Sequence, residues 1–340
     1  MTNASFTVTE DTCLSDWMRF WFKTYKTPNI KNTTYDDYNS SIERHIIPAI
    51  GSTRLSEINS FILQDFFNRE SESGNITTGG ALSPKSVHNM RNVLNAALNK
   101  AAIMEYIPKN PMIAVEIQPL EKKEMTVLTV EEEQRLIGHL IRNNFSGKYD
   151  FAIFLALTLG LRNGEICALK FGSFDFSEMI VKIRSRVTRV NNRNITSDTD
   201  PKTYLESASP KTKESMRDIP FNDKFAETVK NYFKTLAPRS YSKDNYILIS
   251  KNGNPASNSS VNHYFQAKLR ELGIKKKMTF HDLRHTFATR AIENNVDIKA
   301  LSVILGHASV QFTLDRYAHV LSDHKRSTMD TLLSNVLSDS

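Results

Sequence analysis

The feature that most constrains the fold is a break between two differently patterned parts of the chain. Residues 106–119 contain three prolines, and residues 121–124 are all charged. Prolines at this density interrupt regular secondary structure. Before the break, apolar residues recur every three to four positions, whereas after it both helical and strand-like periods occur. The break therefore predicts a linker between two separately folded domains.

The part before the break is patterned as a helical unit. Ser83 followed by Pro84 is a helix cap with proline at the first helical position, and the glycine-containing stretch 71–82 before it predicts a loop. We interpret the aromatic stripe of the first helix as core rather than as a base-stacking surface. The predicted helices are 14–25, about 33–45 (followed by Pro48 and Gly51), one after the cap Asn59, and 84 to about 104.

The part after the break mixes helices and strands. Thr129 and Glu132 have the spacing of a capping box that begins a new helix. Residues 179–190 alternate between basic and apolar side chains, which predicts one half-buried strand with a basic face. Residues 191–209 are polar and predict a long hairpin loop. Short strands are expected at 216–220 and 246–249, and helices at 149–159, 223–236, 260–272, 280–294, 297–305 and 310–320.

These patterns predict a mainly α fold with a small antiparallel β-sheet, in the α+β class. We place a helical domain at 12–112, a linker at 113–127, a second domain at 128–320 and a C-terminal tail at 321–340.

Charge is distributed unevenly along the chain. The formal net charge is +7, and residues 201–290 carry 17 Lys and Arg against 8 Asp and Glu, whereas residues 1–120 carry 11 against 12. A polyanion-binding surface is therefore expected in the later part, although a solvated basic face would look the same. The two cysteines, Cys13 and Cys167, lie far apart in the sequence, which argues against a disulfide. With no secretory or membrane-spanning pattern, we expect a cytoplasmic protein.

Three short runs concentrate cationic and titratable side chains near helix ends. In 279–286, His281 and Arg284 are three residues apart and share a helix face. In 305–309, His307 follows a glycine between two helices, and in 159–165 an arginine precedes a glutamate by three residues. No phosphate-binding loop of the nucleotide-hydrolysing type is present, and a zinc site at His281 and His285 would lack the glutamate that such a motif needs.

Taken in order, these pieces resemble the tyrosine recombinase (phage integrase) family. The most specific pieces are the run HDLRHTFAT from residue 281, the run LGHAS from residue 305, and a tyrosine ten residues after the histidine of the second run. The resemblance covers residues 126–320, and the helical first part is similar in size to that family's core-binding domain. The catalytic residues that the resemblance implies are Arg162, Lys211, His281, Arg284, His307 and Tyr317.

The chemistry of these residue types suits transesterification at a phosphodiester. Two guanidinium groups can bind the non-bridging oxygens in pairs, and His307 can donate a third hydrogen bond. Tyr317 would be the nucleophile, His281 would move a proton nearby, and Lys211 would protonate the departing 5′-hydroxyl, with Lys213 as the competing acid. Glu165 is expected to orient Arg162 or His281. Arg184, Arg186 and Lys213 are expected to contact DNA.

The resemblance also implies partners. We expect double-stranded DNA clamped between the two domains, a homotetramer in the synaptic complex, a monomer or dimer off DNA, and accessory DNA-bending or excision factors. The tail would dock on a neighbouring subunit. No metal, cofactor or membrane partner is expected, and the enzyme would be associated with the nucleoid.

Several functions fit this resemblance. The basic insert at 179–209 resembles that of integrases from conjugative transposons and prophages, which favours integration and excision of a mobile element. The alternatives are Xer-like dimer resolution, a type IB topoisomerase and a DNA-binding regulator without cleavage activity. About a dozen residues precede the first helix, so an arm-binding domain is expected to be missing unless the chain is a fragment.

Overall fold

The computed structural model describes residues 7–120, 125–197, 199–208, 215–236, 242–318, 320–321, 329, 333–334 and 337. They form two compact units. The first comprises Met1–Lys123 with Val190–Asn194, and the second comprises Glu124–Arg189 with Ile195–Ser340. The boundary between them near residue 123 falls inside the linker predicted at 113–127.

The first unit is built from helices that bury an aromatic core. The side chain of Asn59 accepts hydrogen bonds from the amides of Phe61 and Ile62, and Ser83 caps the helix that begins at Pro84, as the sequence predicted. Trp17 is buried, and its Nε1 donates to the carbonyl of Ala97 at 3.1 Å, so the aromatic stripe is core. The helices are α1 (Leu14–Trp21), α2 (Asn32–Ser41), α3 (Ile47–Ile50), α4 (Ser60–Ser73) and α5 (Pro84–Ile103).

The second helix runs further than the sequence predicted. π-Helical turns at Phe22–Lys26 and Ile42–Ile46 extend α1 and join α2 to α3, so helical structure continues past His45 to Ile50. Pro48, which has no backbone N–H to donate, lies just after this second π-helical turn.

The second unit packs helices around a core centred on one apolar helix. This helix, Asp150–Leu159, is buried along almost its whole length. The capping box at Thr129 and Glu132 is present as predicted, with both hydrogen bonds made. The helices are α6 (Val130–Arg142), α7 (Asp150–Leu159), α8 (Asn163–Cys167), α9 (Asp223–Thr235), α10 (Asn258–Glu271), α11 (His281–Glu293), α12 (Ile298–Leu305) and α13 (Val310–Arg316).

The strands form two small sheets instead of the one expected. A three-stranded antiparallel sheet has the order β1–β2–β5, and β3 pairs with β4 in a second sheet. The strands are β1 (Phe174–Asp175), β2 (Ile180–Ile183), β3 (Arg186–Asn191), β4 (Thr203–Ala208) and β5 (Arg217–Pro220).

The prediction of one strand over 179–190 is therefore wrong. The ladder of β2 with β5 ends at the pair Ile183 and Arg217, and the next residue, Arg184, turns its guanidinium back onto the carbonyl of Arg217. The chain resumes as β3 in the other sheet. β4 lies inside the predicted loop 191–209, and the predicted strand at 246–249 makes only isolated bridges.

Gly160 shows how tightly the end of α7 is packed. Its φ is +62°, and a Cβ there would meet the ring of Phe287 and lie 3.0 Å from Leu305 Cδ2. We expect Gly160→Ala to lower the free energy of unfolding by about 2 kcal/mol, because backbone strain and overpacking add.

Gly253→Ala is the matched control for this prediction. Gly253 has φ +75°, and a Cβ there would have no atom within 4 Å, so only backbone strain of about 1 kcal/mol applies. Urea unfolding of both variants measures the difference. Equal losses would show that the contacts around Gly160 do not matter.

Candidate active site

Two helices of the second unit end at glycines whose backbone carbonyls accept hydrogen bonds from arginines. Gly160 ends α7 and Gly306 ends α12, both in the left-handed conformation. The carbonyl of Gly160 accepts a hydrogen bond from Arg284, and that of Gly306 accepts one from Arg162. Helix C-termini carry partial negative charge, which favours a cation at each position. The structure thus brings together two arginines that are 122 residues apart in the sequence.

Arg284 is the more buried of the two arginines. It lies in the first turn of α11 with 2% of its surface exposed. Its Nη1 donates to Gly160 O at 2.7 Å, and its Nη2 donates to Leu305 O at 2.6 Å and to His307 Nε2 at 2.9 Å. Burial and the nearby Arg162 lower the pKa of Arg284, but a guanidinium remains charged at neutral pH. These bonds fix the plane of the guanidinium.

Arg162 and Glu165 form the adjoining corner of the site. Arg162 precedes α8 with its side chain about one third exposed, and its Nη1 donates to Glu165 Oε1 at 2.8 Å. Glu165 also accepts from the backbone amide of Arg162 at 2.9 Å. The expectation that Glu165 orients Arg162 is consistent with this geometry.

Arg217 was missed by the sequence analysis. Its Nη1 and Nη2 donate to the two oxygens of Glu165 at 3.1 and 3.0 Å, and both side chains are buried. Burial alone would raise the pKa of Glu165, but the charges of Arg217 and Arg162 outweigh it and lower this pKa to about 2. The two-residue alternation along β5 could have indicated that Arg217 is buried, because Arg217 shares the buried face of this strand with Ile219.

His307 follows Gly306 and is held at both ring nitrogens. Nε2 faces Arg284 Nη2, and Nδ1 lies 2.7 Å from Thr313 Oγ1. Because the guanidinium can only donate, Nε2 is the acceptor and the proton is on Nδ1. Partial burial, Arg284 and Arg162 lower the pKa of His307 to about 3, so the ring is neutral.

Tyr317 follows α13 and is almost completely buried. Its exposed fraction is 1%, and its hydroxyl lies 3.0 Å from His285 Nδ1. Burial raises the pKa of Tyr317 to about 12, against the opposing effect of Arg284, Arg316 and Arg162. The ring of His285 in turn makes an edge-to-face contact with His281, with centroids 4.8 Å apart. The predicted nucleophile is thus close enough to the predicted phosphate-binding arginines for their charges to lower its pKa.

A cleft of about 450 Å³ opens beside these residues. Its lining includes Arg162, Glu165, Arg186, Gly306 and His307. Of the two arginines predicted from the strand pattern to bind DNA, Arg186 borders this cleft, and its buried Nε has no hydrogen-bond partner within the described part of the chain. Arg184 is instead paired with Asp218 at 2.5 Å. Lys211 and Lys213 lie outside the described residues.

Within the described part of the chain, no three His, Cys, Asp or Glu side chains are grouped so that they could hold a metal ion. No helix among the described residues is long and apolar enough to cross a bilayer.

Known proteins resemble this chain in both of its parts. Residues 126–324 match the Phage integrase family, and residues 13–71 match the Phage integrase N-terminal SAM-like domain. A "Tyrosine recombinase XerC-like" protein of Caldanaerobacter subterraneus is 26% identical, over 95% of this chain and 83% of the relative. The ICEBs1 integrase of Bacillus subtilis is 25% identical, over 89% of this chain and 78% of the relative.

Solved structures match the fold. The Tn1549 transposon integrase in complex with a circular intermediate DNA has a TM-score of 0.74 at 22% identity, covering 94% of this chain and 99% of that one. A lambda integrase dimer bound to a core site has a TM-score of 0.62 at 20% identity, covering 89% of this chain and 77% of that one. Because the matched family region spans more than half of the sequence, the chain belongs to the phage integrase family of tyrosine recombinases.

Proposed function

We propose that this recombinase cuts and rejoins DNA through a 3′-phosphotyrosyl intermediate at Tyr317, to integrate and excise a mobile element. The observation that carries the proposal is the convergence of Arg162, Arg284 and His307 on the turn at Gly306, with Tyr317 alongside. Relatives named as the transposase from transposon Tn916, the ICEBs1 integrase and a probable prophage integrase support the biological role. A DNA substrate would place the enzyme at the nucleoid.

The arginines would supply the charge that the reaction needs. A phosphodiester gains negative charge on its non-bridging oxygens as it becomes pentacoordinate, and prearranged cationic donors stabilise that charge. Arg284 is held rigidly on one side by the carbonyls of Gly160 and Leu305. Arg162, one third exposed at the cleft, would provide the second pair of donors.

His307 would join them once the phosphate is bound. In the absence of DNA its Nε2 accepts from Arg284. The negative charge of the phosphate raises the pKa of an adjacent imidazole, so Nε2 can then carry a proton and donate to an oxygen. The cleavage step forms the bond from Tyr317 Oη to phosphorus and breaks the bond from phosphorus to O5′. Lys211 would give its proton to O5′, with Lys213 as the competing acid.

Duplex DNA and a multimeric assembly are the proposed partners. The lambda integrase was solved as a tetramer bound to a Holliday junction, and by analogy we propose a homotetramer in synapsis, with the tail 321–340 docking on a neighbouring subunit. Binding through Lys and Arg releases counterions, so affinity is expected to fall steeply as salt rises.

Arg186 provides a prediction on DNA binding at the cleft. Arg186 lines the cleft, and its buried Nε has no hydrogen-bond partner among the described residues, so a phosphate oxygen would satisfy it. We expect Arg186→Gln to weaken DNA binding by about tenfold and to reduce its salt dependence by about one counterion.

Arg270→Gln serves as the control for that measurement, because Arg270 is exposed on α10 and does not line the cleft. Titration of labelled duplex at several salt concentrations checks both variants. Equal salt slopes for Arg186→Gln and the wild-type protein would exclude a phosphate contact at this side chain.

A suicide-substrate assay tests the proposed function. Nicked duplexes tiled across the DNA that flanks the gene are incubated with the protein in EDTA and without ATP. We expect a protein–DNA adduct that survives SDS and is absent with Tyr317→Phe. Salt-sensitive binding with no adduct on any duplex would favour a binding regulator, and relaxation of supercoiled plasmid without strand exchange would favour a topoisomerase.

Dimer resolution is the second candidate, favoured by the similarity to the XerC-like protein over 95% of this chain. Two plasmids separate dimer resolution from integration and excision. One carries two directly repeated copies of a chromosomal site, and the other carries the two ends of the element. Deletion only between the chromosomal repeats would favour dimer resolution.

A further inference from the structure

His285 is the hydrogen-bond partner of the tyrosine hydroxyl. Its Nδ1 lies 3.0 Å from Tyr317 Oη, and both side chains are buried, at 7% and 1% exposure. Among the described contacts, Tyr317 Oη has no hydrogen bond to His281, whose ring packs against that of His285 instead. We propose that His285 is a further catalytic residue, which accepts the proton of Tyr317 as this tyrosine attacks phosphorus. This inference rests on the proposed function.

The chemistry of the pair sets the direction of the hydrogen bond. A phenol donates readily, and a neutral imidazole nitrogen is the stronger acceptor. The charged and titratable groups that face His285 are His281, Asp282 and Arg284 on α11, and Arg316 on α13. Burial, with the cations opposing Asp282, lowers the pKa of His285 to about 4. The ring is therefore neutral at pH 7, so one of its nitrogens has a lone pair, and in this proposal that nitrogen is Nδ1, which faces the phenol.

The hydrogen bond to His285 offsets the effect of burial on the reactivity of Tyr317. The pKa of Tyr317 is raised to about 12, so at neutral pH almost none of the hydroxyl is ionised, and a neutral phenol is a weak nucleophile. An acceptor already hydrogen-bonded to the proton removes the need for free phenolate.

Bonds and protons balance in the full step. The bond from Oη to phosphorus forms, the bond from phosphorus to O5′ breaks, the phenolic proton moves to His285 Nδ1, and a separate acid protonates O5′. The bound phosphate, being negative, favours the resulting imidazolium. In religation a 5′-hydroxyl attacks the phosphotyrosine and gives its proton to the conjugate base of that acid. The bond from O5′ to phosphorus forms, the bond from phosphorus to Oη breaks, and His285 Nδ1 returns its proton to the departing phenolate. His285 would thus serve cleavage as a base and religation as an acid.

The first test needs no DNA. Histidine side-chain ¹⁵N NMR of the full-length protein at pH 7 reports which ring nitrogen carries the proton. We expect His285 to carry it on Nε2, with an Nδ1 resonance that shifts in Tyr317→Phe. A proton on Nδ1 would mean that His285 donates to the phenolic oxygen, and this result would overturn the proposal whatever the protein does to DNA.

The second test compares pH profiles of adduct formation on the nicked duplex. For the wild-type protein we expect the rate of adduct formation to be nearly constant between roughly pH 6.5 and 8.5, because this range lies above the lowered pKa of His285 and below the raised pKa of Tyr317. His285→Ala should be about 100-fold slower at neutral pH, with a rate that rises about tenfold per pH unit as hydroxide replaces the missing base. His285→Asn keeps an acceptor near the position of Nδ1 but cannot take a proton, so it should show the same slope.

A structural role for His285 would give a different result. Both variants would then be slower at every pH with the flat profile of the wild-type protein, or His285→Asn would recover the wild-type rate, and either result overturns the proposal. Thermal melting and duplex binding of each variant are measured to check whether the fold and the DNA affinity are retained. If the wild-type protein forms no adduct on any duplex, the proposed function fails, while the NMR measurement still decides the role of His285.

Discussion

Arg284→Lys is expected to slow adduct formation by about 1000-fold, with little loss of duplex affinity. In the absence of DNA the guanidinium donates to Gly160 O, Leu305 O and His307 Nε2, and the two bonds to the carbonyls do not depend on the protonation of His307. These fix the direction of its remaining donors. An ammonium on a flexible chain can replace the charge but not the planar fork. Loss of one prearranged donor to a developing oxyanion typically costs roughly 100- to 1000-fold in rate.

Arg270→Lys is the control for this prediction. It makes the same chemical change at an exposed position on α10 and should leave the rate of adduct formation unchanged. Single-turnover kinetics on the nicked duplex measures both variants, and thermal melting shows whether Arg284→Lys remains folded. A rate within tenfold of wild type would show that the fork geometry at Arg284 is not used in the reaction.

Glu165→Gln is expected to lower the free energy of unfolding by about 3–5 kcal/mol at pH 7. The carboxylate is buried and faces Arg217 at 3.0 Å and Arg162 at 2.8 Å. Removing its charge leaves the buried guanidinium of Arg217 uncompensated. Removing one partner of a buried ion pair typically lowers the free energy of unfolding by about this amount. Adduct formation should fall as well, because Arg162 loses the group that positions it.

The pH dependence of this loss has a definite sign. The folded-state pKa of Glu165, about 2, lies below its ordinary value of 4.5. Its stabilising effect is therefore fully present above about pH 4.5 and declines as pH falls toward 2. Urea unfolding at pH 7, 4 and 3 should show the difference between wild type and Glu165→Gln narrowing with acid.

Asp218→Asn provides the matched control in the same unit. Asp218 neighbours Arg217 on β5, and its ion pair with Arg184 is 2.5 Å long but more than 40% exposed on both sides. An exposed pair contributes less than about 1 kcal/mol. Comparable losses for the two variants would show that burial of Glu165 does not strengthen its interactions.

How much the sequence predicted depends on the range of the interactions involved. Helix ends are set by side chains within three residues, so the caps at Asn59, Ser83 and Thr129 were predicted from local spacing alone. Strands depend on partners distant in sequence. The polar strand β4 carries no apolar alternation that would mark it, and it was predicted as loop.

The same distinction applies to the site. The candidate residues were selected as motifs, yet no motif indicates that Arg217 pairs with a glutamate 52 residues away or that His285 contacts a hydroxyl 32 residues later. Both contacts depend on how β5, α11 and α13 pack. His285 is part of the run HDLRHTFAT, but on sequence alone it was considered only as a possible metal ligand.

During cleavage, Tyr317 is expected to become covalently bound to a 3′-phosphate. The most direct measurement is mass spectrometry of the protein after reaction with a nicked duplex, nuclease trimming and proteolysis. We predict a nucleotide mass on the peptide containing Tyr317, linked through the 3′-phosphate and leaving a free 5′-hydroxyl on the other DNA product. A nucleotide on another tyrosine, or a 5′-phosphate linkage, would contradict this claim.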